Sequence, residues 1–427
     1  MSKRLLIKNV NEIVTCSGFK QKKGKEMSDL HIINDGAILI EDGIIKKVGN
    51  NEAVLKEIDT SEIDIIDAKD RCVLPGFIDP HTHFVFGGYR AEEYGWRLRG
   101  VNYMEIMNRG GGIVNSTNST KEATLEELIE AGMKRLDSMV SFGVTTVEGK
   151  SGYGLDLDTE IKQLEAMKKL NETHPLDIST TFLGAHAVPK EYKGRENEFI
   201  DYIIEKVLPE VAKRNLAEFC DIFCEDNVFS IEQSRKLLSK AKEFGLKPKL
   251  HADEIVPLGG AELSAELEAI SADHLLQASD EGIKLMAKNN VVATLLPGTA
   301  FSLKEKYARA RDIIDAGCAV ALATDMNPGS CFTESIPLII ALATLYMNMT
   351  TEETINALTI NAAAALDKAD KIGSIDVGKK ADLVIHEFPS YNYIPYHIGV
   401  STVEKVIKNG NIIYSKEDKG GLLCYKI

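Results

Sequence analysis

The middle of the chain, from about residue 72 to residue 365, alternates short apolar segments with longer amphipathic ones. The apolar segments have the length of buried strands, and the amphipathic segments repeat their apolar residues at helical spacing. This alternation is typical of repeated strand–helix units that build a parallel sheet. The predicted strands number eight and lie at 76–83, 143–149, 178–186, 219–225, 248–254, 269–274, 291–297 and 319–325.

Amphipathic segments separate these strands, and the clearest of them predict helices over 125–141, 160–170 and 231–245. Eight parallel strands joined by helical crossovers favour a closed barrel over an open, doubly wound sheet. We therefore predict an α/β fold with a (β/α)8 TIM-like barrel that occupies residues 72–365.

Both ends of the chain show short apolar runs separated by tight turns. Asp42-Gly43 lies between two such runs in residues 1–71, and Asn409-Gly410 does so in residues 366–427. Both dipeptides are typical of two-residue hairpin turns. Neither end has enough apolar residues for a core of its own, so we predict that they pair into one small composite β-sandwich domain. The alternative is two separate β caps.

Composition and charge narrow the classes of partner. Hydrophobic residues make up 44% of the chain and charged residues 27%, as in folded proteins. The 50 Lys and Arg against 64 Asp and Glu give a formal charge of −14, which repels phosphate backbones and anionic lipid headgroups. We therefore expect no nucleic-acid partner and no membrane partner. The longest apolar stretch, 336–347, contains Pro337 and is too short to span a bilayer.

The first residues lack the apolar core of a secretory signal, which favours a cytoplasmic protein. Thiols stay reduced in that compartment, so we expect free cysteines. The cysteines are Cys16, Cys72, Cys220, Cys224, Cys318, Cys331 and Cys424.

Polar groups that could carry out chemistry gather at the ends of the predicted strands. In a barrel of this kind the active site forms at the C-terminal ends of the strands. Their clustering at one end of several elements points to a single shared site. The residues concerned are His81, His83, His186, His251, His274, Glu254 and Asp325.

The pair His81 and His83 is the sharpest local signal for a metal. Residues two apart on an extended segment point the same way, so both imidazoles face one centre. With His251 and Asp325 from two other strand ends, the set offers three imidazoles and one carboxylate. Such a shell suits Zn²⁺ or Fe²⁺ and leaves room for a water, whose pKa the metal lowers towards neutrality.

We expect a single metal in each chain. The strand at 219–225 contains no lysine that could carry a bridging carbamate, and the sequence shows no spare acidic cluster beside the histidine pair. Cys220 and Cys224 share a face of this strand and could bind metal. Small buried side chains that fill the barrel are the simpler interpretation of these two cysteines.

Glu254 and His274 are candidates for acid–base chemistry. Hydrolysis of a C–N bond needs a group that takes a proton from water and delivers it to the departing nitrogen, and Glu254 is placed for this. His274 could polarise the carbonyl or hold the oxyanion. The alternatives are that Glu254 only orients His251 and that His274 is a fourth nitrogen ligand.

Several segments together resemble the metal-dependent amidohydrolase superfamily with a composite β-sandwich domain. These are PGFIDPHTH (75–83), HADE (251–254), SADH (271–274) and ATDMNPGS (323–330), flanked by the paired β segments. Within that superfamily the chain resembles the imidazolonepropionase family, which acts in histidine degradation. The narrower resemblance is carried by FGGYRAEEY (86–94), RGGGI (109–113), EGKSGYGL (148–155), FLGAHAVP (182–189) and DMNPGS (325–330).

The resemblance implies a role for each matching residue. It implies that His81, His83, His251 and Asp325 bind the metal, and that catalysis involves Glu254, His274 and Asp325. It implies hydrolysis of the ring C–N bond of 4-imidazolone-5-propanoate to N-formimidoyl-L-glutamate. A homodimer would also be compatible with this class. The implied substrate contacts are Arg90, Tyr153, His186, Glu254, Asn327, Gly329 and Ser330.

The side-chain chemistry agrees with a substrate that carries a propionate. Arg90 lies seven residues past His83 and offers a guanidinium fork matched to a carboxylate, although a surface arginine is the alternative. Tyr153 lies between glycines that allow close approach of a loop to a ligand. Gly110, Gly111 and Gly112 lack the basic partner of a phosphate-binding loop and fit a mobile loop over the site better.

Two rival functions remain open from the sequence. A guanine or cytosine deaminase would use the same metal and Glu254, but a nucleobase would leave Arg90 without a role. An inert barrel that only binds a ligand or a protein is the other, and the intact set of ligands argues against it. Metal content and hydrolytic activity, measured before and after chelation, discriminate between them.

Overall fold

The computed structural model describes residues 3–56, 58–59, 63–101, 105 and 109–417 of the 427-residue chain. Cys424 lies outside these residues, and the other six cysteines are buried free thiols. The strands, numbered along the chain, are β1 (Arg4–Val14), β2 (Ile32–Glu41), β3 (Ile44–Asn50), β4 (Asp64–Asp67), β5 (Cys72–Pro75), β6 (Phe77–Asp79), β7 (Val144–Lys150), β8 (Asp177–Ala185), β9 (Phe219–Cys224), β10 (Lys247–Ala252), β11 (Ser271–His274), β12 (Val292–Leu295), β13 (Ala319–Leu322), β14 (Leu383–His386), β15 (Val403–Lys408) and β16 (Asn411–Ser415).

The α-helices of the described residues lie mostly between the strands of the middle region. They are α1 (Asn51–Lys56), α2 (Ala91–Leu98), α3 (Ile113–Glu122), α4 (Leu125–Ser141), α5 (Leu157–Thr173), α6 (Glu196–Tyr202), α7 (Leu208–Lys213), α8 (Ile231–Glu243), α9 (Gly260–Glu266), α10 (Asp280–Asn289), α11 (Pro297–Leu303), α12 (Ala310–Asp315), α13 (Ile336–Tyr346), α14 (Thr351–Ala357), α15 (Ile360–Ala364) and α16 (Tyr393–Tyr396).

Strands β6 to β13 confirm the predicted α/β barrel. They form one parallel sheet in which each strand pairs with the next along the chain. Beyond the ends of β6 and β13, a parallel bridge joins Thr82 to Met326. The backbone N–H of His83 donates to Met326 (2.8 Å), and that of Asp325 donates to His81 (3.0 Å). These bonds close the barrel at the rim formed by the C-terminal ends of its strands.

Local sequence signals explain where the outer helices begin. Helix α4 covers the predicted segment 125–141, and a reciprocal capping box precedes it. There the Thr124 hydroxyl accepts from the backbone N–H of Glu127, whose carboxylate accepts from the backbone N–H of Thr124. This arrangement satisfies two backbone donors that a helix start otherwise leaves unpaired. The helix then buries its apolar stripe, which includes Leu136 and Met139, against the barrel.

The two ends of the chain form a second, eight-stranded sheet. Its strand order is β16-β15-β14-β5-β1-β2-β3, with β4 also paired to β1. The antiparallel pairing of β5 with β14 joins the N-terminal part of this sheet to the C-terminal part. The prediction that the ends pair is therefore confirmed, and the alternative of two separate β caps is wrong.

The two predicted hairpin turns pack against each other within this sheet. All four residues of Asp42-Gly43 and Asn409-Gly410 have positive φ, between +48° and +78°, as the short hairpin turn requires. A Cβ on Gly43 would lie 2.8 Å from the carbonyl oxygen of Asn409. Glycine at position 43 therefore serves both the turn and the contact between the chain ends.

The most apolar helix belongs to the core. Helix α13 has 11 residues, and most of them are buried against the barrel. Across the described part of the chain, no helix combines the length and the apolar character needed to cross a membrane.

Candidate active site

The candidate metal ligands lie where the barrel closes. His81 and His83 follow β6, and backbone hydrogen bonds tie this segment to the one that carries Asp325. His251 lies near the end of β10 and His274 is the last residue of β11. The fold therefore brings all of them to the same rim of the barrel, as the strand-end pattern predicts.

These side chains form two overlapping groups that could each hold an ion. The ligand atoms of His81, His83 and His251 lie within 4.8 Å of one another, as do those of His81, His274 and Asp325. Oδ1 of Asp325 is 3.5 Å from Nε2 of His81 and 3.7 Å from Nε2 of His83. All five residues are buried. The geometry thus gathers the predicted set and also admits His274 as a ligand.

The nitrogen atoms in this cluster fit a metal ion. Nδ1 of His81 is 2.6 Å from Oδ2 of Asp273, and because a carboxylate only accepts, Nδ1 carries the proton. The lone pair of Nε2 of His81 is then free, and this buried atom has no hydrogen-bond partner among the described residues. Burial also lowers the pKa of His81 and His83 well below the usual range. Neutral imidazoles are the form that binds metals.

The pKa values of Asp325 and His251 are raised instead of lowered. Burial raises the pKa of Asp325 to about 6, although the Thr299 hydroxyl donates to its Oδ2 (2.5 Å) and opposes this. Burial acts to lower the pKa of His251, but the Asp221 carboxylate, 2.9 Å from Nδ1, outweighs it and raises that pKa. The site therefore combines imidazoles and a carboxylate, a donor set suited to a divalent ion.

Glu254 lies on a loop that two buried carboxylates hold in place. Asp253 accepts from the backbone N–H groups of Leu258, Gly259, Gly260 and Ala261. Glu225 accepts from the backbone N–H groups of the two residues that follow Glu254, at 2.8 and 3.2 Å. Both carboxylates restrain the backbone on the C-terminal side of Glu254, so its position is set by the loop rather than by its own contacts.

The carboxyl group of Glu254 faces the histidine cluster. Its Oε1 lies 3.5 Å from Nδ1 of His274, and 17% of the side chain is exposed. Burial raises the pKa of Glu254 to about 8, and the negative charge of Asp325 contributes in the same direction. A carboxyl group that exchanges its proton near neutral pH suits general acid–base catalysis.

A cavity of about 510 Å³ opens over this cluster. Its volume lies in the range of sites for small molecules. All the predicted substrate contacts line it, namely Arg90, Tyr153, His186, Glu254, Asn327, Gly329 and Ser330. The cavity brings these residues together with His83, His251, His274 and Asp325.

The guanidinium of Arg90 is held by Glu93, a residue that the sequence analysis missed. Nε of Arg90 donates to Oε2 of Glu93 (2.8 Å), and Glu93 also accepts from the backbone N–H of Gly112 and from Asn115. A Cβ on Gly329 would lie 2.3 Å from Nη1 of Arg90. Gly329 therefore contributes space for the guanidinium.

The loop that carries Tyr153 is shaped by Glu160. This buried carboxylate accepts from the backbone N–H groups of Gly152, Gly154 and Leu155. A Cβ on Gly152 would lie 2.8 Å from Nδ1 of His186, which itself donates to the carbonyl of Gly152 (3.0 Å). The close approach that the glycines permit is thus an approach to His186. The ring of His186 in turn stacks on that of His83, with centroids 5.0 Å apart.

The side-chain amide of Asn327 forms its hydrogen bonds within its own loop. Nδ2 donates to the carbonyl of Asp325 (2.6 Å) and to Oγ of Ser330 (2.8 Å). Oδ1 accepts from the backbone N–H groups of Gly329 and Ser330, both at 2.8 Å. Asn327 therefore lines the cavity but mainly shapes its wall.

Charged residues inside the barrel strands were also missed. Asp273 lies against His81, and its Oδ2 is 3.3 Å from Nζ of Lys150, so it is not a spare ligand. Cys220 and Cys224 belong to neither metal-capable group of the described residues, and burial raises the pKa of each thiol. Parallel strands covered on both faces are normally apolar, so a charge within one is the signal that could have found these residues. The charged residues that the sequence pattern did not single out within the barrel strands are Glu148, Lys150, Asp221, Lys249 and Asp273.

Comparison with known proteins identifies the family of this chain. A family model described as the amidohydrolase family matches residues 72–414. The imidazolonepropionase of Clostridium tetani is 63% identical over 412 residues, which cover 96% of this chain and 98% of that protein. The imidazolonepropionase of Parabacteroides distasonis is 58% identical over 409 residues, with coverage of 96% and 98%.

Solved structures share the fold at much lower identity. The 5-methylcytosine deaminase of Klebsiella pneumoniae has a TM-score of 0.72 at 18% identity, covering 97% of this chain and 98% of that one. A zinc-bound adenosine deaminase of Xanthomonas campestris has a TM-score of 0.69 at 17% identity, covering 98% and 94%. Family match, fold and near-full-length identity agree: the chain belongs to the amidohydrolase family and, within it, to the imidazolonepropionases.

Proposed function

We propose that this enzyme hydrolyses the ring of 4-imidazolone-5-propanoate to N-formimidoyl-L-glutamate. The observation that carries the proposal is a single cavity that is lined both by the Arg90 guanidinium, which Glu93 holds, and by His83, His251, His274 and Glu254. The pairing suits a substrate with a carboxylate arm and a cyclic amide. Relatives that are 54–63% identical over nearly the whole chain carry the name of this activity.

Arg90 binds the propionate in this proposal. Its Nε is occupied by Glu93, which leaves the terminal nitrogen atoms for the substrate. The side chain is 16% exposed, so a carboxylate bound there would be partly removed from water. Charge-assisted hydrogen bonds to a guanidinium gain strength in such surroundings.

The histidine cluster would hold one divalent metal ion in each chain, zinc or iron. His81, His83, His251 and Asp325 are the proposed ligands. When bound there, the ion supplies Lewis acidity to the substrate carbonyl and lowers the pKa of water. Asp273 keeps the proton of His81 on Nδ1, so that Nε2 faces the centre of the cluster.

Proton transfer falls to Glu254. Its carboxylate takes a proton from the attacking water as the carbonyl carbon gains the oxygen, and it returns the proton to the ring nitrogen as the C–N bond breaks. Burial, together with the negative charge of Asp325, raises the pKa of Glu254, which lets Glu254 hold the proton between these steps. In this proposal His274 donates a hydrogen bond to the carbonyl oxygen as negative charge develops on it.

His186 orients the ring of the substrate. Because its Nδ1 donates to the carbonyl of Gly152, the neutral ring has its lone pair on Nε2. Burial lowers the pKa of His186 to about 4, which keeps the ring neutral. Nε2 can therefore accept a hydrogen bond from a ring N–H of the substrate.

We also predict that the enzyme is cytoplasmic and forms a homodimer.

A substrate panel tests the proposed function. The purified enzyme is assayed with 4-imidazolone-5-propanoate, with the same ring lacking the propionate, and with cytosine and guanine. We expect ring opening of the first compound, a product heavier by one water, and no ammonia. Release of ammonia from a nucleobase, with no turnover of the imidazolone, would favour the deaminase alternative.

The variant Arg90→Met sharpens this test. Loss of a carboxylate partner typically costs about 2–5 kcal/mol, roughly 30-fold to several thousandfold in kcat/KM. The loss should appear with the propionate compound and be small with the ring that lacks the arm. Equal losses on both compounds would remove Arg90 from propionate recognition.

A further inference from the structure

We propose that Lys150 is a positioning residue that fixes His81 and His251 as metal ligands by bridging the two aspartates that hold them. Its place is the end of β7, below the histidine cluster and outside the cavity lining. The inference rests on the metal site of the proposed function. Lys150 belongs to a set of buried charged residues that pair with one another, which we call the ion-pair cluster. Its members are Glu148, Lys150, Asp221, Lys249 and Asp273.

The ammonium group of Lys150 contacts the same carboxylate oxygens that face the histidines. Its Nζ lies 2.8 Å from Oδ2 of Asp221 and 3.3 Å from Oδ2 of Asp273. Those oxygens are 2.9 Å from Nδ1 of His251 and 2.6 Å from Nδ1 of His81. One buried cation therefore links both histidines from behind.

The remaining contacts limit rotation of these carboxylates. Oδ1 of Asp221 accepts from the backbone N–H groups of Ile222 (2.7 Å) and His251 (3.1 Å), and Oδ1 of Asp273 accepts from the Ser271 hydroxyl (2.7 Å). Each aspartate is thus held at one oxygen by its own strand or the next. Lys150 holds the other oxygen, on the side that sets the direction of the histidine ring.

The third contact of Lys150 is with Glu148. Its Nζ donates a hydrogen bond to Oε1 of Glu148 (3.0 Å) and another to Asp221, while its contact with Asp273 is an ion pair. The other oxygen of Glu148 pairs with Lys249 at 2.6 Å. Without Lys150, three fully buried carboxylates would face one another, and such groups must rotate apart or take up protons.

The charges of the ion-pair cluster favour a cation nearby. Among the described residues its three carboxylates, those of Glu148, Asp221 and Asp273, are paired with two ammonium groups, those of Lys150 and Lys249. A cation held by the adjoining His81 and His251 would offset the negative charge that remains. Buried charges persist only when they are paired, so the ion-pair cluster and the metal site form one electrostatic unit.

Cobalt binding to the metal-free protein tests the role of Lys150. Co²⁺ is titrated into the chelator-stripped wild type, Lys150→Met and Lys249→Met, and its visible spectrum and affinity are recorded. Removing a buried cation by itself favours a divalent ion, and both variants share this effect. In the described residues Lys249 pairs with Glu148 and with neither aspartate, which makes it the matched control.

We expect Lys150→Met to bind Co²⁺ about 10–100-fold more weakly, as loss of a residue that orients metal ligands typically does, and to show an altered spectrum. Lys249→Met should bind Co²⁺ at least as tightly as the wild type, with an unchanged spectrum. Equal affinities and spectra in the two variants would overturn the inference alone. A wild type that takes up no Co²⁺ would overturn the proposed metal site with it.

A second variant keeps the inference testable if Lys150→Met does not fold. Asp273→Asn retains the size of the side chain but removes the charge that links Lys150 to His81. It should weaken Co²⁺ binding and alter the spectrum, while thermal unfolding of the metal-free form shows an intact fold. Wild-type affinity and spectrum in Asp273→Asn would contradict the proposed path from Lys150 to His81.

Discussion

Glu254 can exchange its proton near neutral pH while its loop is held in place by hydrogen bonds. Burial and the charge of Asp325 raise its pKa to about 8, while Glu225 and Asp253 hold the loop around it. A carboxyl group of this kind exchanges a proton without moving its backbone. The residue therefore has the properties of a general acid–base group, and its chemistry can be separated from its contribution to the fold.

Replacement of this group by an amide tests its role in catalysis. Glu254→Gln should keep the fold and the bound metal and lose about 10²–10⁴-fold in kcat, because the amide cannot transfer the proton. Steady-state kinetics and metal analysis of the same sample measure both quantities. Glu254→Asp serves as control and should retain part of the activity. A kcat of Glu254→Gln near that of the wild type would leave Glu254 without a catalytic role.

Gly329 offers a test of how Arg90 is positioned. A Cβ at this position would lie 2.3 Å from Nη1 of Arg90, the far end of a flexible side chain that can move aside. Gly329→Ala should therefore leave the melting temperature nearly unchanged but displace the guanidinium, so that KM rises at least 10-fold, about 1.4 kcal/mol of lost binding. The effect should vanish in the Arg90→Met background. A normal KM in Gly329→Ala would show that Arg90 binds substrate from another position.

At the scale of elements, buried carboxylates shape the loops that follow the barrel strands. Asp253, Glu160 and Glu225 each accept hydrogen bonds from two or more backbone N–H groups of these loops. Backbone donors in a buried loop need such partners, because water cannot reach them. The loops with the site residues are thus ordered by side chains that do not line the cavity.

Asp253 provides the test of this principle. Asp253→Ala removes the acceptor for four backbone N–H groups, and we expect the free energy of unfolding to fall by at least about 1–3 kcal/mol, the typical cost of a single buried donor left unpaired. The value of kcat should fall as well, because the loop also carries Glu254. Asp280→Ala, an exposed aspartate at the start of α10, is the matched control with little expected effect. Chemical denaturation and kinetics measure both variants, and equal stabilities would refute the role of Asp253.

The elements themselves could be predicted well from the sequence. Each of the eight predicted barrel strands overlaps one of β6 to β13, and α4 coincides with the predicted helix over 125–141. These segments have strong apolar periodicity and clear capping signals, such as Thr124 with Glu127. The closure of the barrel was less visible, because it uses a single bridge between Thr82 and Met326 rather than a long pair of strands.

The supporting residues of the site could not be predicted in the same way. The pairing of Glu93 with Arg90 is local, at a spacing of three residues, but its link to Gly112 requires the fold of an irregular loop. Lys150, Asp221 and Asp273 come from three different strands, and only the barrel brings them together. Strand-end histidines were found because the position of an active site in a barrel is general, whereas ion pairs between strands depend on register.

At the scale of the whole molecule, the buried ammonium group of Lys408 joins the terminal sheet to the barrel through ion pairs. Lys408 on β15 lies 2.6 Å from Asp382 and 2.9 Å from Asp177, the first residue of β8. The side chains of Lys408 and Asp382 are only 2% and 4% exposed. Because Asp177 begins its strand, this contact lies at the end of the barrel opposite the active site.

Because Lys408 lies far from the active site, we expect its replacement to lower stability without lowering kcat. Lys408→Ala leaves the buried Asp382 unpaired, and breaking a buried pair in this way typically costs about 3–5 kcal/mol. Urea denaturation should show that loss, while kcat at a temperature where the variant is folded stays at the wild-type value. Lys405→Ala on the same strand removes a pair with the 66% exposed Glu417 and should cost less than about 1 kcal/mol. If the two variants were equally stable, the joint between sheet and barrel would rest on apolar packing instead of on charge.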